Sequence, residues 1–429
     1  MNQNKDIDIR IRKAQAELRC LEKQQREILE KIRLLRLQKS QSAENLNFLE
    51  SAKPKVTNLS SQKEKISLFR SLFKGREDVF PIRWENLKKE INGYQPGCKN
   101  EWVTGICEKP KIRCMDCNHR EFIPLSDDII ANHLRGLDAS KPVKQDFTIG
   151  VYPLLSDETC WFLAVDFDKK SWTDDVQAYL VTCDQYNVPA VLERSRSGNG
   201  AHVWIFFIEP VPAVSARQLG TFLLTQTMDK RPELGLNSYD RLFPSQDYMP
   251  KGAFGNLIAL PLQRKPRNEG NSIFLNRNLM PFEDQWAFLS SIRRISQKDI
   301  EKILARIPDQ SDVTGVRSVS AIEDQIKPWL EPPSRKRKEP ALAGPFPDRV
   351  EIVLGNQIYL AKNALTPQLI NRIIRSAAFQ NPEFYKAQAM RFSTYNKPRI
   401  INCCDVFPDY IGLPRGCIQH SCRIATETT

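Results

Sequence analysis

The chain has 429 residues, a net charge of +12 and an isoelectric point near 9.1. This length allows two or three domains with a sizeable core, and the positive charge suits a polyanionic partner. No stretch approaches the roughly 18 apolar residues of a membrane span, and the polar N-terminus lacks the apolar core of a signal peptide. We therefore expect a cytoplasmic protein without membrane contact, whose 11 cysteines are free thiols or metal ligands.

Residues 1–38 carry a heptad pattern that predicts a coiled-coil helix. From Ile7 to Leu35 the apolar residues alternate at spacings of three and four, and Gln25 fills the single gap. One interpretation is a homodimer formed through this helix; the other is a helix or helical hairpin packed on its own chain. The polar residues 39–65 are predicted to be a linker.

Residues 66–126 contain four cysteines with the spacing C-x8-C-x6-C-x2-C, namely Cys98, Cys107, Cys114 and Cys117. We call them the cysteine cluster. The final C-x-x-C is typical of one half of a zinc knuckle, because two residues between thiolates form a tight turn that chelates one ion. The pattern predicts a structural zinc held by all four thiols, with His119 as a spare ligand. The alternative is four unrelated thiols.

A run of apolar residues beginning at Cys160 predicts a buried strand, and it ends in Asp166-Phe167-Asp168. Side chains alternate along a strand, so the two aspartates share one face. Two neighbouring carboxylates repel each other unless a cation lies between them, and hard oxygen ligands suit Mg²⁺ or Mn²⁺. The alternative is a strand end with two solvated acids.

The next motif is a polar loop, Arg194 to Gly200, between two strand-like runs, and His202 opens the second run. Glycines let a phosphate approach the backbone N–H groups of such a loop. The motif therefore predicts an anion site that uses Ser197, Gly198, Gly200 and His202. The alternative for His202 is a packed structural residue.

Strands alternate with helices through residues 127–307, which predicts an α/β (α+β) core with a mainly antiparallel or mixed sheet. Helices are expected at Thr173–Tyr186 and Val211–Lys230, and a closing helical segment at Glu283–Arg306. After a predicted strand, Arg264 and Lys265 form a basic cluster that could bind a phosphate or be a solvated patch.

The last part of the chain divides into a linker and a small module. Residues 308–347 are rich in proline and basic residues, which predicts a linker. Residues 348–429 are expected to form a separate small module. The chain contains no G-x-x-x-x-G-K-S/T phosphate loop, so we expect no helicase ATPase in it.

The D-x-D strand and the S-G-x-G-x-H loop and strand together resemble the pattern of the archaeo-eukaryotic primase superfamily. The closer resemblance is to the primase-polymerase domain of the bacterial TOTE conflict systems, and it covers roughly residues 65 to 415. The stretches that carry it are FRSLFKGREDVFPIRW (69–84), TIGVYPLL (148–155), ERSRSGNGAHVWIFF (193–207) and SYDRLFPSQDYMPKGAFGNLIALPLQ (238–263).

This resemblance implies a primase-polymerase catalytic core for residues 127–307, preceded by a zinc-binding insert. It also implies a third carboxylate, for which Asp240 is the first candidate and Asp247 the second. Asp166, Asp168 and Asp240 would hold two Mg²⁺ or Mn²⁺ ions.

The activity implied is metal-dependent, template-directed nucleotidyl transfer, with a nucleic-acid template and nucleoside triphosphates as partners. Residues 348–429 resemble the beginning of a fused helicase region, which implies a helicase partner. A metal-dependent nuclease and a non-catalytic nucleic-acid-binding module are the alternatives.

Overall fold

The computed structural model describes residues 54–86, 88–138, 146–306, 316, 347 and 349–417. The predicted coiled-coil helix, residues 39–53 of the first predicted linker and nearly all of the second lie outside the described residues. The chain divides into two compact units, Met1–Lys55 and Val56–Thr429, and all elements below belong to the second. No helix in the described ranges is long and apolar enough to cross a membrane.

The helices follow in chain order as α1 (Gln62–Leu72), α2 (Asp127–Arg135), α3 (Trp172–Gln185), α4 (Ala213–Met228), α5 (Arg264–Asn268), α6 (Gln285–Ser290), α7 (Gln297–Leu304), α8 (Pro367–Ser376) and α9 (Pro382–Ala389). Side-chain caps start several of them. Ser61 and Glu64 form a capping box at α1, and Asp284 accepts hydrogen bonds from two backbone N–H groups of α6.

The strands are β1 (Pro81–Asn86), β2 (Ile91–Pro96), β3 (Gly150–Val151), β4 (Thr159–Phe167), β5 (Val191–Arg194), β6 (Ala201–Pro212), β7 (Leu242–Phe243), β8 (Ile258–Ala259), β9 (Ile273–Leu275), β10 (Ile352–Leu354), β11 (Ile358–Ala361), β12 (Ala378–Gln380), β13 (Ile400–Asn402), β14 (Asp405–Val406) and β15 (Tyr410–Leu413). They form several sheets, of which a five-stranded one with the order β7-β4-β6-β5-β9 carries the site.

All neighbouring strands of this central sheet are antiparallel. The sequence left open whether this sheet is mainly antiparallel or mixed, and in the structure the central sheet is antiparallel. Strand β4 lies inside the sheet, and most of its residues are buried, as its apolar composition predicts. The β5–β6 hairpin brings the polar loop back beside the end of β4, where the two aspartates lie.

The two faces of the central sheet are covered by different elements. Helices α3 and α4 cover one face, where Phe167 packs against Tyr179 of α3. Gly220 lets α4 approach this face closely, because a Cβ atom there would lie 2.9 Å from Leu163 and from Leu242. On the other face, Phe73 at the end of α1 packs edge-on against Trp204. The D-x-D aspartates extend this second face toward solvent.

The predicted helices Thr173–Tyr186 and Val211–Lys230 are confirmed as α3 and α4 within two residues at each end. The closing helical segment predicted at Glu283–Arg306 is present as two helices, α6 and α7, with a break between them. In the break, Ile295 pairs with the sheet, since its N–H donates to the carbonyl of Phe206 at 2.9 Å. This contact with β6 overrides the local helical pattern.

The C-terminal segment, residues 349–417, packs on the same hydrophobic core as the central sheet. Buried residues of its four-stranded sheet, such as Ile358 and Leu413, belong to the core cluster that includes β4. Helix α8 joins the core through Arg375, which donates to the hydroxyl of Tyr239 at 2.6 Å. These residues form a continuous body with the central sheet.

Candidate active site

Four polar side chains lie in one row across the central sheet. Asp166 on β4 is directly opposite His202 on β6, which is directly opposite Glu193 on β5. On the other side of β4, the N–H of Asp166 donates to the carbonyl of Arg241, just before β7. Residues directly opposite in an antiparallel ladder share a face. The order Arg241, Asp166, His202, Glu193 thus alternates cationic and anionic groups.

The two aspartates of the D-x-D motif share one guanidinium. Arg241 Nη1 lies 3.2 Å from Asp166 Oδ2, and Nη2 lies 2.7 Å from Asp168 Oδ2. Burial, together with the nearby carboxylate of Asp168, raises the pKa of Asp166 even though His202 and Arg241 oppose the shift. The pair therefore attracts a cation, as the sequence predicted, and in this structure the cation is an arginine.

His202 is held from one side by a buried carboxylate. Its Nδ1 lies 2.9 Å from Glu193 Oε2, whereas its Nε2 lies 3.8 Å from Asp166 Oδ1, which is too long for a hydrogen bond. Burial disfavours the charged imidazole, but the carboxylates of Glu193 and Asp166 outweigh this effect and raise the pKa of His202. A histidine whose charged form is favoured by two carboxylates, beside the D-x-D motif, is suited to binding an anion.

The loop between β5 and β6 lies directly against the end of β4. A Cβ atom on Gly200 would lie 2.6 Å from the carbonyl oxygen of Phe167, so only glycine permits this approach. Gly198 has a positive φ of 78°, and its N–H donates to the carbonyl of Ser195 at 3.1 Å. Ser197 is exposed and accepts from the N–H of Asn199 at 3.3 Å. The structure thus brings this predicted loop and His202 together with the D-x-D motif.

The two candidates for a third carboxylate have other partners. Asp240 Oδ1 accepts a hydrogen bond from the backbone N–H of Arg399 at 2.8 Å. Asp247 is buried and pairs with the guanidinium of Arg217, and it also accepts from Gln388 at 2.9 Å. None of these contacts involves the D-x-D pair, so the third ligand stays a prediction.

The predicted phosphate-binding pair Arg264 and Lys265 lies at the start of α5, and both side chains are exposed. They line a cavity together with Arg135 of α2. None of the residues of the D-x-D motif or the polar loop lines this cavity. The structure therefore gives Arg264 and Lys265 a basic surface of their own.

The D-x-D pair has the chemistry that a divalent cation requires. It offers hard carboxylate oxygens that already contact the guanidinium of Arg241. Two carboxylates, with a guanidinium bridging them, fit such an ion. Within the described residues, however, no group of three or more His, Cys, Asp or Glu side chains is arranged to hold a metal ion. A complete ligand set for two ions is therefore a proposal.

All four thiols of the cysteine cluster line one cavity, together with His119. The N–H of Glu121 donates to Cys98 Sγ at 3.4 Å. The segment around the cluster is built of turns between β2 and α2. The thiols line one cavity, but within the described residues they do not form a group arranged to hold a metal ion, so the zinc site stays a prediction.

Sequence reasoning missed two residues of the row, Arg241 and Glu193. The sequence contains a signal for Glu193, which is an acidic residue in an apolar strand. A hairpin closed around residues 195–200 places this residue opposite His202. The sequence contains no such signal for Arg241, because the position of this residue depends on the pairing of β7 with β4, two segments about 75 residues apart.

The fold and the site thus define a nucleotidyltransferase-like arrangement of acidic, cationic and glycine-rich parts on an antiparallel sheet. The family model described as "TOTE conflict system, Archaeo-Eukaryotic Primase domain" matches residues 64–303, more than half of the chain. The chain belongs to this family, as its motifs predicted. A search of curated proteins gave no match. Family membership implies a primase- or polymerase-type nucleotidyltransferase of a conflict system.

Proposed function

We propose that the chain is a metal-dependent, template-directed nucleotidyltransferase that works as a primase, a polymerase or both. The observation that carries the proposal is the row of Arg241, Asp166, His202 and Glu193, with the glycine-rich loop against its centre. It sets a pair of carboxylates beside a histidine and a loop suited to phosphate. These are the parts that nucleotidyl transfer needs.

Asp166 and Asp168 are the proposed ligands of two Mg²⁺ or Mn²⁺ ions, with Asp240 as the third ligand. Asp240 would have to give up its hydrogen bond from Arg399 to join them. When bound, the ions lower the pKa of the attacking 3′-hydroxyl and neutralise the triphosphate and the leaving pyrophosphate. Arg241 keeps the two carboxylates together when no metal is bound.

The nucleotide is bound by the chain's own donors. His202 Nε2 makes no hydrogen bond within the described residues and is available to a phosphate oxygen. The hydroxyl of Ser197 and the loop backbone at Gly198 and Gly200 are the further proposed donors, and the N–H of Gly198 would have to leave the carbonyl of Ser195 to take part. This binding orients the triphosphate for in-line attack, so catalysis is mainly positioning and charge neutralisation.

Other parts of the chain are assigned supporting roles. The basic surface of Arg264 and Lys265 is proposed to contact phosphates of the nucleotide or the template, and the cysteine cluster to bind one structural zinc. A homodimer through residues 1–38 and a helicase partner for the module at 348–429 stay predictions from the sequence.

The test is incubation of the protein with labelled nucleotides, a primed template and Mg²⁺ or Mn²⁺. We expect extension of the primer, and Asp168→Asn should reduce it at least about a hundredfold, because a lost metal ligand removes several kcal/mol of transition-state stabilisation. Asp128→Asn, which removes an exposed carboxylate from α2, is the matched control. Shortening of the labelled strand instead of extension would favour a nuclease, and activity retained in Asp168→Asn would refute the metal-site assignment.

A further inference from the structure

Glu193 is a charged residue in a position where an apolar one would be expected. It lies on β5, between β6 and β9 of the five-stranded sheet, and only 1% of its surface is exposed. Burying a carboxylate is costly unless hydrogen bonds replace its hydration. Packing alone therefore does not explain why a carboxylate is buried at this position.

The hydrogen bonds of Glu193 show what the carboxylate holds. Oε2 lies 2.9 Å from His202 Nδ1 and accepts from Trp204 Nε1 at 2.8 Å. Oε1 accepts from the hydroxyl of Ser272 at 3.4 Å. Trp204 is fully buried and Ser272 nearly so, whereas His202 keeps 13% of its side chain exposed. Of the three donors, only the histidine reaches from the buried carboxylate to the proposed site.

The strand register fixes the direction of the imidazole. His202 is directly opposite both Glu193 on β5 and Asp166 on β4, so its ring spans the space between two carboxylates. With Nδ1 bonded to Glu193, the other nitrogen, Nε2, faces the Asp166 side of the row. A ring turned the other way would donate from Nδ1 toward Asp166 and leave Glu193 without this donor.

We propose that Glu193 is a positioning residue for nucleotide binding, which fixes the ring of His202 so that Nε2, and not Nδ1, faces the triphosphate. The inference rests on the proposed function, because it takes the nucleotide phosphates as the ligand of His202. Glu193 acts only through His202 and touches neither substrate nor metal.

Three variants separate positioning from packing. Glu193→Gln keeps an oxygen that accepts from both His202 and Trp204, and its amide group can donate to the Ser272 hydroxyl. Glu193→Ala removes the acceptor. Trp204→Phe is the matched control, because it removes another donor to the same oxygen and leaves the contact with His202 intact.

Nucleotide affinity and template affinity are measured on each variant, together with the melting temperature. We expect Glu193→Ala to weaken nucleotide binding about ten- to a hundredfold, the value of one charge-assisted hydrogen bond, with template affinity unchanged. Glu193→Gln should stay within about threefold of the wild type, and Trp204→Phe should lower the melting temperature without changing nucleotide affinity. In a His202→Ala background, Glu193→Ala should cause no further loss of affinity.

A proton signal provides a readout that does not depend on nucleotide binding. With ¹⁵N-labelled histidine, His202 Nδ1–H should exchange slowly in the wild type and in Glu193→Gln, and rapidly in Glu193→Ala. If the wild type binds no nucleotide, the proposed function fails, while this signal still tests whether Glu193 fixes the ring.

Several results would overturn the inference. One is a loss of nucleotide affinity in Glu193→Gln as large as that in Glu193→Ala. The others concern Glu193→Ala itself: equal losses of nucleotide and template affinity, a loss that adds to that of His202→Ala, or no loss of nucleotide affinity. If Glu193→Ala does not fold, the double variant Glu193→Leu/Trp204→Phe replaces it, because it leaves no buried indole N–H unpaired. The nucleotide and template affinities of this double variant are then compared with those of Trp204→Phe, and the results expected of Glu193→Ala apply to it.

Discussion

Arg241 occupies the position at the D-x-D pair that a metal ion is proposed to take, so its removal should tighten metal binding. Its guanidinium contacts Asp166 at 3.2 Å and Asp168 at 2.7 Å, and 46% of its side chain is exposed. Exposed ion pairs contribute about 0.2–1 kcal/mol each. Two such contacts compete with an incoming cation by roughly 0.5–2 kcal/mol, which corresponds to about two- to thirtyfold in affinity.

The assay is Mn²⁺ binding to nucleotide-free protein, followed by the paramagnetic resonance of the free ion. Arg241→Gln should bind Mn²⁺ about two- to thirtyfold more tightly than the wild type. Arg293→Gln, which removes the same charge from an exposed position between α6 and α7, is the control for the general change in charge. Unchanged or weaker Mn²⁺ binding in Arg241→Gln would refute the view that the arginine and the metal exclude each other.

Three further outcomes are expected. Purified protein should contain one zinc per chain bound by the cysteine cluster, and metal analysis that finds none, with all four thiols titratable in the native state, would contradict this. Arg217→Ala should lower the free energy of unfolding in urea by about 3–5 kcal/mol, because it leaves Asp247 buried without its partner; an additional Asp247→Asn change should restore part of the loss. Burial lowers the pKa of His133 to about 4, so the unfolded state binds more protons between pH 6.5 and 4, and stability should fall by about 3 kcal/mol across that window. Urea unfolding at several pH values should show this fall in the wild type and in the exposed-site control His119→Gln, but not in His133→Gln.

The centre of the candidate site could be predicted because its geometry is local. Alternation along β4 places Asp166 and Asp168 on one face wherever the strand lies, and the glycine-rich loop carries its own turn chemistry. His202 follows that loop after a single residue, so the hairpin brings it to the same end of the sheet. None of these steps requires knowledge of a distant partner.

The other side of the site depends on register between distant segments. Neighbouring residues in a strand face opposite ways, so a shift of one position decides whether Asp240 or Arg241 shares the face of Asp166. The carbonyl of Arg241 accepts from the N–H of Asp166, which puts the arginine on that face. The break between α6 and α7 could not be predicted for a related reason, because the pairing of Ile295 with β6 is a tertiary contact that no local pattern contains.

The C-terminal segment bears on the active site although the family match ends at residue 303. It contacts the two residues that precede Arg241 in the chain: Arg375 donates to the hydroxyl of Tyr239, and the N–H of Arg399 donates to Asp240. The guanidinium of Arg399 also donates to the carbonyl of Ser245, beyond β7. The stretch that delivers Arg241 to the D-x-D pair is therefore fixed from outside the central sheet. Any partner that moves the C-terminal segment would change the contacts of Asp240, and with them the stretch of chain that carries Arg241.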